Sequence, residues 1–184
     1  RLVGSEMCIR DRLRVWSAAC SSGQEPYSLS MMVEEYRNSK MGVLNNPVEI
    51  LATDLSASML TQCKAAEYDM LSLGRGLTKE RLQRFFEQVD GGAWRVKPEI
   101  RSRVRFQNLN LMDSFIALGK FDIVYCRNVL IYFSADLKQD ILRRIHATLK
   151  PGGYLVLGAS EGMSGVADCY QMVQCNPGII YRAI

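Results

Sequence analysis

The chain has 184 residues, of which 48% are hydrophobic and 23% charged, and its net charge is +4 at pH 7. A chain of this size can bury a sizeable core without disulfide bonds, so we expect a globular protein. Because basic and acidic residues are interspersed, we expect no nucleic-acid partner. The sequence has neither an apolar run of about 18 residues nor a secretory signal. We therefore expect a cytoplasmic monomer without membrane insertion.

The cysteines and the single histidine argue against a metal site. Six cysteines are scattered without a C-x-x-C pair, and His146 is the one histidine. This pattern favours reduced thiols, and we expect no bound metal. Residues 1–12 show no hydrophobic periodicity, and we interpret them as a non-native leader that precedes one domain at 13–184.

The first predicted unit is a strand, a turn and a helix. An apolar strand begins at Leu13, small residues run from Ser17 to Gly23, and helical apolar spacing starts at Tyr27. Small residues let the backbone approach a ligand closely, so Gly23 is a candidate binding residue. The turn is neither a G-x-G-x-x-G fingerprint nor a P-loop. A pyrophosphate site is therefore disfavoured, and a nucleoside without phosphates remains open.

The second predicted strand, 48–54, ends in an acidic residue, Asp54. In doubly wound sheets, a carboxylate at this position accepts hydrogen bonds from the ribose hydroxyls of a nucleotide. The alternative is a helix N-cap, with Ser56 sharing that role. The preceding turn favours the ribose role.

Residues 66–105 depart from this alternation, and we interpret them as an inserted helix and small β-subdomain. The segment 77–86 predicts a short amphipathic helix with Thr78 as its cap. Asp90-Gly91-Gly92 predicts a hairpin between two short strands. An ordinary surface excursion is the alternative. Val104 then resumes the main sheet.

Two later strands end in polar residues. Beyond Val104, Asn108 and Asn110 each offer a donor and an acceptor to an adenine edge. The apolar strand 121–125 leads into Cys126-Arg127-Asn128 and an apolar-aromatic stretch. An arginine at the end of a buried strand usually meets an anion or ligand. A structural arginine paired with a local carboxylate is the alternative.

These segments, followed by Lys150-Pro151-Gly152-Gly153, resemble the CheR-type chemotaxis receptor glutamate methyltransferases over residues 13–183. The resemblance implies a Rossmann-like α/β fold with a doubly wound, mostly parallel sheet, to which 153–158 and 179–182 add a final antiparallel pair. It also implies S-adenosylmethionine as methyl donor and docking of the receptor by the β-subdomain. Gln24 stands where the family usually has Glu, and the helical domain that usually precedes this one is expected to be absent.

The resemblance further implies which residues form the site. For cofactor binding it indicates Gly23, Asp54, Asn110, Leu111, Cys126 and Arg127. Among these, Asn110 would contact the adenine edge and Leu111 would pack against the ring, with Asn108 as the competitor. For catalysis it indicates Arg127, whose planar fork can grip the acceptor carboxylate, and Tyr132, whose hydroxyl can orient it.

The implied reaction needs little acid-base chemistry. A glutamate side chain has a pKa of about 4.3, so it is already an anionic nucleophile at pH 7. The protein must chiefly align the carboxylate with the methyl group. The expected partners are cytoplasmic helices of methyl-accepting chemotaxis receptors. A non-catalytic module that binds S-adenosylmethionine or S-adenosylhomocysteine is the alternative, and a small-molecule methyltransferase would need a closed acceptor pocket.

Overall fold

The computed structural model describes residues 12–40, 42–74 and 76–184, so the predicted leader at 1–12 lies, except for Arg12, outside the described residues. The strands are β1 (Leu13–Ala18), β2 (Val48–Asp54), β3 (Glu67–Tyr68), β4 (Phe86–Gln88), β5 (Trp94–Val96), β6 (Val104–Asn108), β7 (Phe121–Cys126), β8 (Leu149–Leu157), β9 (Tyr170–Gln174) and β10 (Ile179–Ala183). The helices are α1 (Gln24–Ser39), α2 (Ala57–Ala65), α3 (Met70–Leu73), α4 (Lys79–Phe85), α5 (Pro98–Arg101) and α6 (Ala135–Thr148). In this part of the chain, no helix combines the length and apolar character needed to cross a membrane.

The main sheet has seven strands in the order β6-β2-β1-β7-β8-β10-β9. The first five run parallel, and β10 runs antiparallel to both β8 and β9. The predicted doubly wound, mostly parallel sheet with an antiparallel end is therefore confirmed. The chain proceeds outward from β1 to β6 and then returns to β7, so the strand order reverses between β1 and β7. In such sheets, ligands bind at the carboxyl ends of the strands beside this switch point.

Successive residues of β1 serve the two faces of the sheet. Trp16 is fully buried and packs with Phe121 and Ile141 of α6 in one core. Its neighbour Val15 packs with Leu29 of α1 in another. Because side chains alternate along a strand, β1 is covered by helices on both sides, as its nearly continuous apolar sequence indicates.

A separate antiparallel sheet, β3-β5-β4, lies within the predicted insertion. The predicted cap and hairpin are both confirmed. Thr78 Oγ1 accepts the Arg81 N–H at 3.2 Å, and a 3₁₀ turn at Asp90–Gly92 joins the paired strands β4 and β5. Residues 104 and 105 of the predicted range already belong to β6 of the main sheet. Tyr27 of α1 packs in the core beneath the small sheet, which ties the two sheets together.

The end of the chain differs from the prediction in two places. β8 begins at Leu149, four residues before the predicted strand 153–158, so Lys150-Pro151-Gly152-Gly153 lies within the strand. Gly152 has a φ of 73°, and the register with β7 shifts between Phe121 and Ile123, so the segment forms an irregularity within the strand. The edge strand β9 is not among the predicted strands.

Candidate functional site

Asp54 supports the turn after β1 at the carboxyl edge of the sheet. Its Oδ2 accepts the Ser21 N–H at 2.8 Å, and its Oδ1 accepts the Ser56 N–H at 2.9 Å. Ala19 and Ser21 have φ values of 58° and 50°, a left-handed conformation that is unfavourable outside glycine. The carboxylate therefore holds a strained turn and also the start of α2. Each oxygen keeps a lone pair that can accept a further hydrogen bond.

Gly23 lies where this turn packs closely against Cys63 and Tyr68. It has a φ of 89°, and a Cβ atom there would lie 3.0 Å from Cys63 Sγ and 3.1 Å from Tyr68 Oη. The Tyr68 hydroxyl donates a hydrogen bond to the Ser22 carbonyl at 2.8 Å. Because Tyr68 belongs to β3, the small sheet supports the turn directly. A side chain at position 23 would both strain the backbone and push this support away.

Glu25, in the first turn of α1, binds Arg127 and so brings it next to the turn after β1. Its Oε1 accepts the Ser17 hydroxyl at 2.7 Å, and its Oε2 accepts Arg127 Nη1 at 3.1 Å. The Arg127 side chain remains 44% exposed. Burial, together with the negative charge of Glu25, raises the pKa of the neighbouring Tyr125. The alternative of an arginine paired with a local carboxylate thus describes the observed contact, and that carboxylate itself lies at the candidate site.

Glu161 holds the segment that follows Arg127. Its carboxylate accepts the backbone N–H groups of Asn128, Val129 and Leu130 at 2.7–3.0 Å, and that of Gly158 at 2.8 Å. Neither Glu25 nor Glu161 is among the predicted site residues. Glu25 lies two positions after Gly23, and an acidic residue in the first turn of a helix that follows a ligand-binding turn is a usable signal. Glu161 has no such signal, because it lies in a polar loop and three of its four partners are 31 to 33 positions earlier in the chain.

The remaining predicted residues of the β7 end face different surroundings. Cys126 is completely buried in the core, and burial raises the pKa of its thiol well above the ordinary value. Only its main chain can therefore face a ligand. Tyr132 ends a 3₁₀ turn at Leu130–Tyr132 and is 80% exposed. Its hydroxyl is open to an incoming molecule.

The two asparagines after β6 differ in how their side chains are used. Asn108 Nδ2 donates to the Leu55 carbonyl at 2.8 Å, which fastens β6 to the loop after β2. Asn110 Oδ1 accepts the Met112 N–H at 3.0 Å, while its amide nitrogen has no acceptor among the residues described. Leu111 is buried beside it. The prediction that Asn110, rather than Asn108, contacts an adenine remains compatible with this geometry.

The charged groups at this edge are carboxylates and an arginine. No group of three or more potential metal ligands is assembled in the described ranges. His146 belongs to the last turn of α6, at the opposite end of the sheet, where its Nε2 lies 3.0 Å from the Ile184 carbonyl oxygen. The site suits a ligand that carries hydroxyl groups, such as the ribose of S-adenosylmethionine, since the Asp54 carboxylate has lone pairs left to accept them.

The fold resembles that of methyltransferases that use S-adenosylmethionine. The crystal structure of the glycopeptide N-methyltransferase MtfA complexed with sinefungin matches 92% of this chain and 53% of its own, with a TM-score of 0.51 and 16% sequence identity. At this identity the likeness concerns the fold alone.

The sequence comparisons define the family. The profile of the CheR methyltransferase SAM-binding domain matches residues 3–179. Chemotaxis protein methyltransferase 1 of Pseudomonas aeruginosa is 67% identical over 172 residues, which are 94% of this chain and 63% of that protein. Chemotaxis protein methyltransferase Cher2 of Pseudomonas putida is 65% identical, and the match covers 62% of that protein. The chain belongs to the CheR methyltransferase family and spans about three fifths of the length of these relatives.

Proposed function

We propose that this chain carries the catalytic domain of an enzyme that methylates glutamate side chains of chemotaxis receptors. S-adenosylmethionine is the donor, and the products are the glutamate methyl ester and S-adenosylhomocysteine. The observation that carries this proposal is the meeting of Asp54, Glu25 and Arg127 at the switch point of the sheet, in a chain of the CheR family. The proposed partners are the cytoplasmic helices of the receptors, which places the reaction in the cytoplasm.

The donor supplies an electrophilic methyl group on a positively charged sulfur, and the chain supplies its binding groups. Asp54 is proposed to accept the ribose hydroxyls on its remaining lone pairs. Gly23 allows close approach of the turn, and the main chain of Cys126 lines the site. Asn110 and Leu111 are proposed to hold the adenine. Together, these groups would fix the direction from which the methyl group is approached.

Arg127 is proposed to receive the acceptor carboxylate. A guanidinium has five N–H donors, and the contact with Glu25 engages Nη1, so Nη2 and Nε can still bind a second carboxylate. Tyr132 can add a hydroxyl from its exposed position. Because the attacking glutamate is ionised at pH 7, the step needs no general base. This agrees with the absence of a histidine from the site, since the single histidine of the chain, His146, lies in the last turn of α6.

Transfer of a labelled methyl group tests the proposal. The chain would be mixed with S-adenosylmethionine labelled on the methyl group and with membranes of Pseudomonas aeruginosa that lack their own chemotaxis methyltransferases. We expect label on the receptors that mild base releases as methanol, as an ester requires. Receptors whose methylated glutamates are replaced by alanine serve as the control.

The outcomes separate the proposal from its alternatives. Label that resists base would exclude a carboxylate acceptor. Binding of S-adenosylhomocysteine without any transfer would favour a non-catalytic binding module. Transfer to small molecules of the extract, with unlabelled receptors, would indicate a small-molecule methyltransferase.

A further inference from the structure

One carboxylate, that of Glu161, organises the backbone between β7 and α6. Its Oε1 accepts the N–H groups of Val129 at 3.0 Å and Leu130 at 2.7 Å. Its Oε2 accepts those of Asn128 and Gly158, both at 2.8 Å. A carboxylate has about four lone-pair sites, so all of them are used. Hydrogen bonds to an ionised acceptor are the strong ones, which makes this a firm attachment.

The local backbone is shaped to receive that carboxylate. Asn128 has a φ of 58°, after which the chain enters the 3₁₀ turn at Leu130–Tyr132. Consecutive N–H groups in such a conformation point into a common concavity that binds an anion. These N–H groups precede a helical turn and have no partner within it. Glu161 therefore supplies from a neighbouring loop the acceptor that the segment lacks.

Gly158 allows the two loops to approach this closely. A Cβ atom at this position would lie 2.7 Å from Glu161 Oε2 and 3.0 Å from Asn128 N, and it would also overlap the Asn128 side chain. A side chain at this position would therefore displace the Glu161 carboxylate and the Asn128 side chain. The close approach fixes the loop after β8 relative to the segment after β7.

The segment that Glu161 clamps, Asn128–Leu130, is flanked by the two residues proposed for catalysis. Arg127 directly precedes it, and Tyr132 lies two positions after Leu130. Tyr132 is 80% exposed, and the Arg127 side chain is 44% exposed with Glu25 as its hydrogen-bond partner, so core packing holds neither side chain. The position of Tyr132 therefore depends on the backbone that Glu161 holds, and that of Arg127 depends on this backbone together with the Glu25 contact. We propose that Glu161 is a positioning residue for methyl transfer, which acts by fixing this backbone; the inference rests on the proposed function.

Replacing Glu161 with glutamine tests the role at nearly constant shape. Glutamine keeps one oxygen but turns an NH₂ group toward two of the four N–H donors, so the clamp opens on one side. We expect kcat for receptor methylation to fall about 100-fold, as displacement of reacting groups by about 1 Å produces. The dissociation constant of S-adenosylhomocysteine should change less than about threefold, because Asp54 and the turn after β1 are untouched. The matched control is Glu99→Gln, an exposed change of equal charge in α5, which should leave both quantities unaltered.

A second variant and a second measurement keep the test decisive. Glu161→Asp retains the charge but shortens the side chain, and we expect an intermediate loss of kcat, about tenfold. Faster amide exchange at Asn128, Val129 and Leu130 should accompany the loss in both variants. A folded Glu161→Gln variant with the wild-type kcat would overturn the positioning role while leaving the proposed function intact. A wild-type protein that transfers no methyl group would overturn the proposed function, and the positioning role with it.

Discussion

Arg127 donates a hydrogen bond to Glu25 across 3.1 Å, which joins the segment after β7 to the first turn of α1. The arginine at the end of a buried strand therefore already has a carboxylate partner. An acceptor glutamate would share the guanidinium with Glu25 or displace it. Since the Arg127 side chain is 44% exposed, an incoming carboxylate can reach it without rearrangement of the core.

Arg127→Ala should abolish most methyl transfer and cost comparatively little cofactor affinity. Loss of a charge-assisted contact to the reacting group costs about 2–4 kcal/mol, or roughly 30- to 1000-fold in rate. Transfer kinetics and calorimetry with S-adenosylhomocysteine on the same preparation provide the check. An unchanged rate would remove Arg127 from catalysis. A fall in affinity that matches the fall in rate would instead assign Arg127 to the cofactor pocket.

Tyr132→Phe should reduce the rate less than Arg127→Ala, because it removes one hydroxyl and keeps the ring. At 80% exposure the hydroxyl contributes little to folding, so the melting temperature should stay constant. The measurement compares kcat and melting temperature for the two proteins. A rate equal to that of the wild type would exclude a role for the hydroxyl.

Asp54→Asn should weaken cofactor binding by about 2–4 kcal/mol, the scale of hydrogen bonds to a charged acceptor. The matched control is Ser56→Ala, which removes the hydroxyl that caps α2 and accepts the Met59 N–H at 3.3 Å. The control should lower stability by about 1 kcal/mol and leave affinity unchanged. Calorimetry with S-adenosylhomocysteine and thermal unfolding separate the two effects. If Asp54→Asn binds as tightly as the wild type, the carboxylate serves the turn and helix alone.

The strand ends were predictable from sequence, whereas the contacts between loops were not. β2 and β7 are apolar runs that stop at polar residues, and β1 is an apolar run that stops at a series of small residues, so their carboxyl ends and Asp54 follow from local pattern. The Glu25–Arg127 pair joins residues 102 positions apart, and Glu161 reaches back 31 to 33 positions. Such contacts depend on how the sheet brings its loops together. Local periodicity carries no information about them.

Tyr68→Phe should loosen the turn after β1 from the small sheet. The buried Tyr68 hydroxyl donates to the Ser22 carbonyl at 2.8 Å, and losing such a bond costs about 1 kcal/mol of stability. We expect a matching fall in cofactor affinity, since the freed turn must be ordered again on binding. Tyr36→Phe, which changes a 42% exposed tyrosine on α1, is the control. An affinity equal to that of the wild type would mean that Asp54 alone fixes the turn.

Acid should destabilise the domain partly through Glu34. Burial raises the pKa of this carboxyl, but the hydrogen bond and the charge of Arg103 lower the pKa by more than burial raises it. The net shift of the pKa is therefore downward. A pKa that is lower in the folded state means stability present above the unfolded value and lost as pH falls through the folded one. Stability should therefore decline below about pH 4.3, the ordinary pKa of glutamate. Urea unfolding between pH 2 and 7 should show that the free energy of unfolding declines less steeply with acid for Glu34→Gln than for the wild type. The control Glu99→Gln should follow the wild type. If this free energy has the same pH dependence in all three proteins, the Glu34–Arg103 pair is excluded as a source of acid sensitivity.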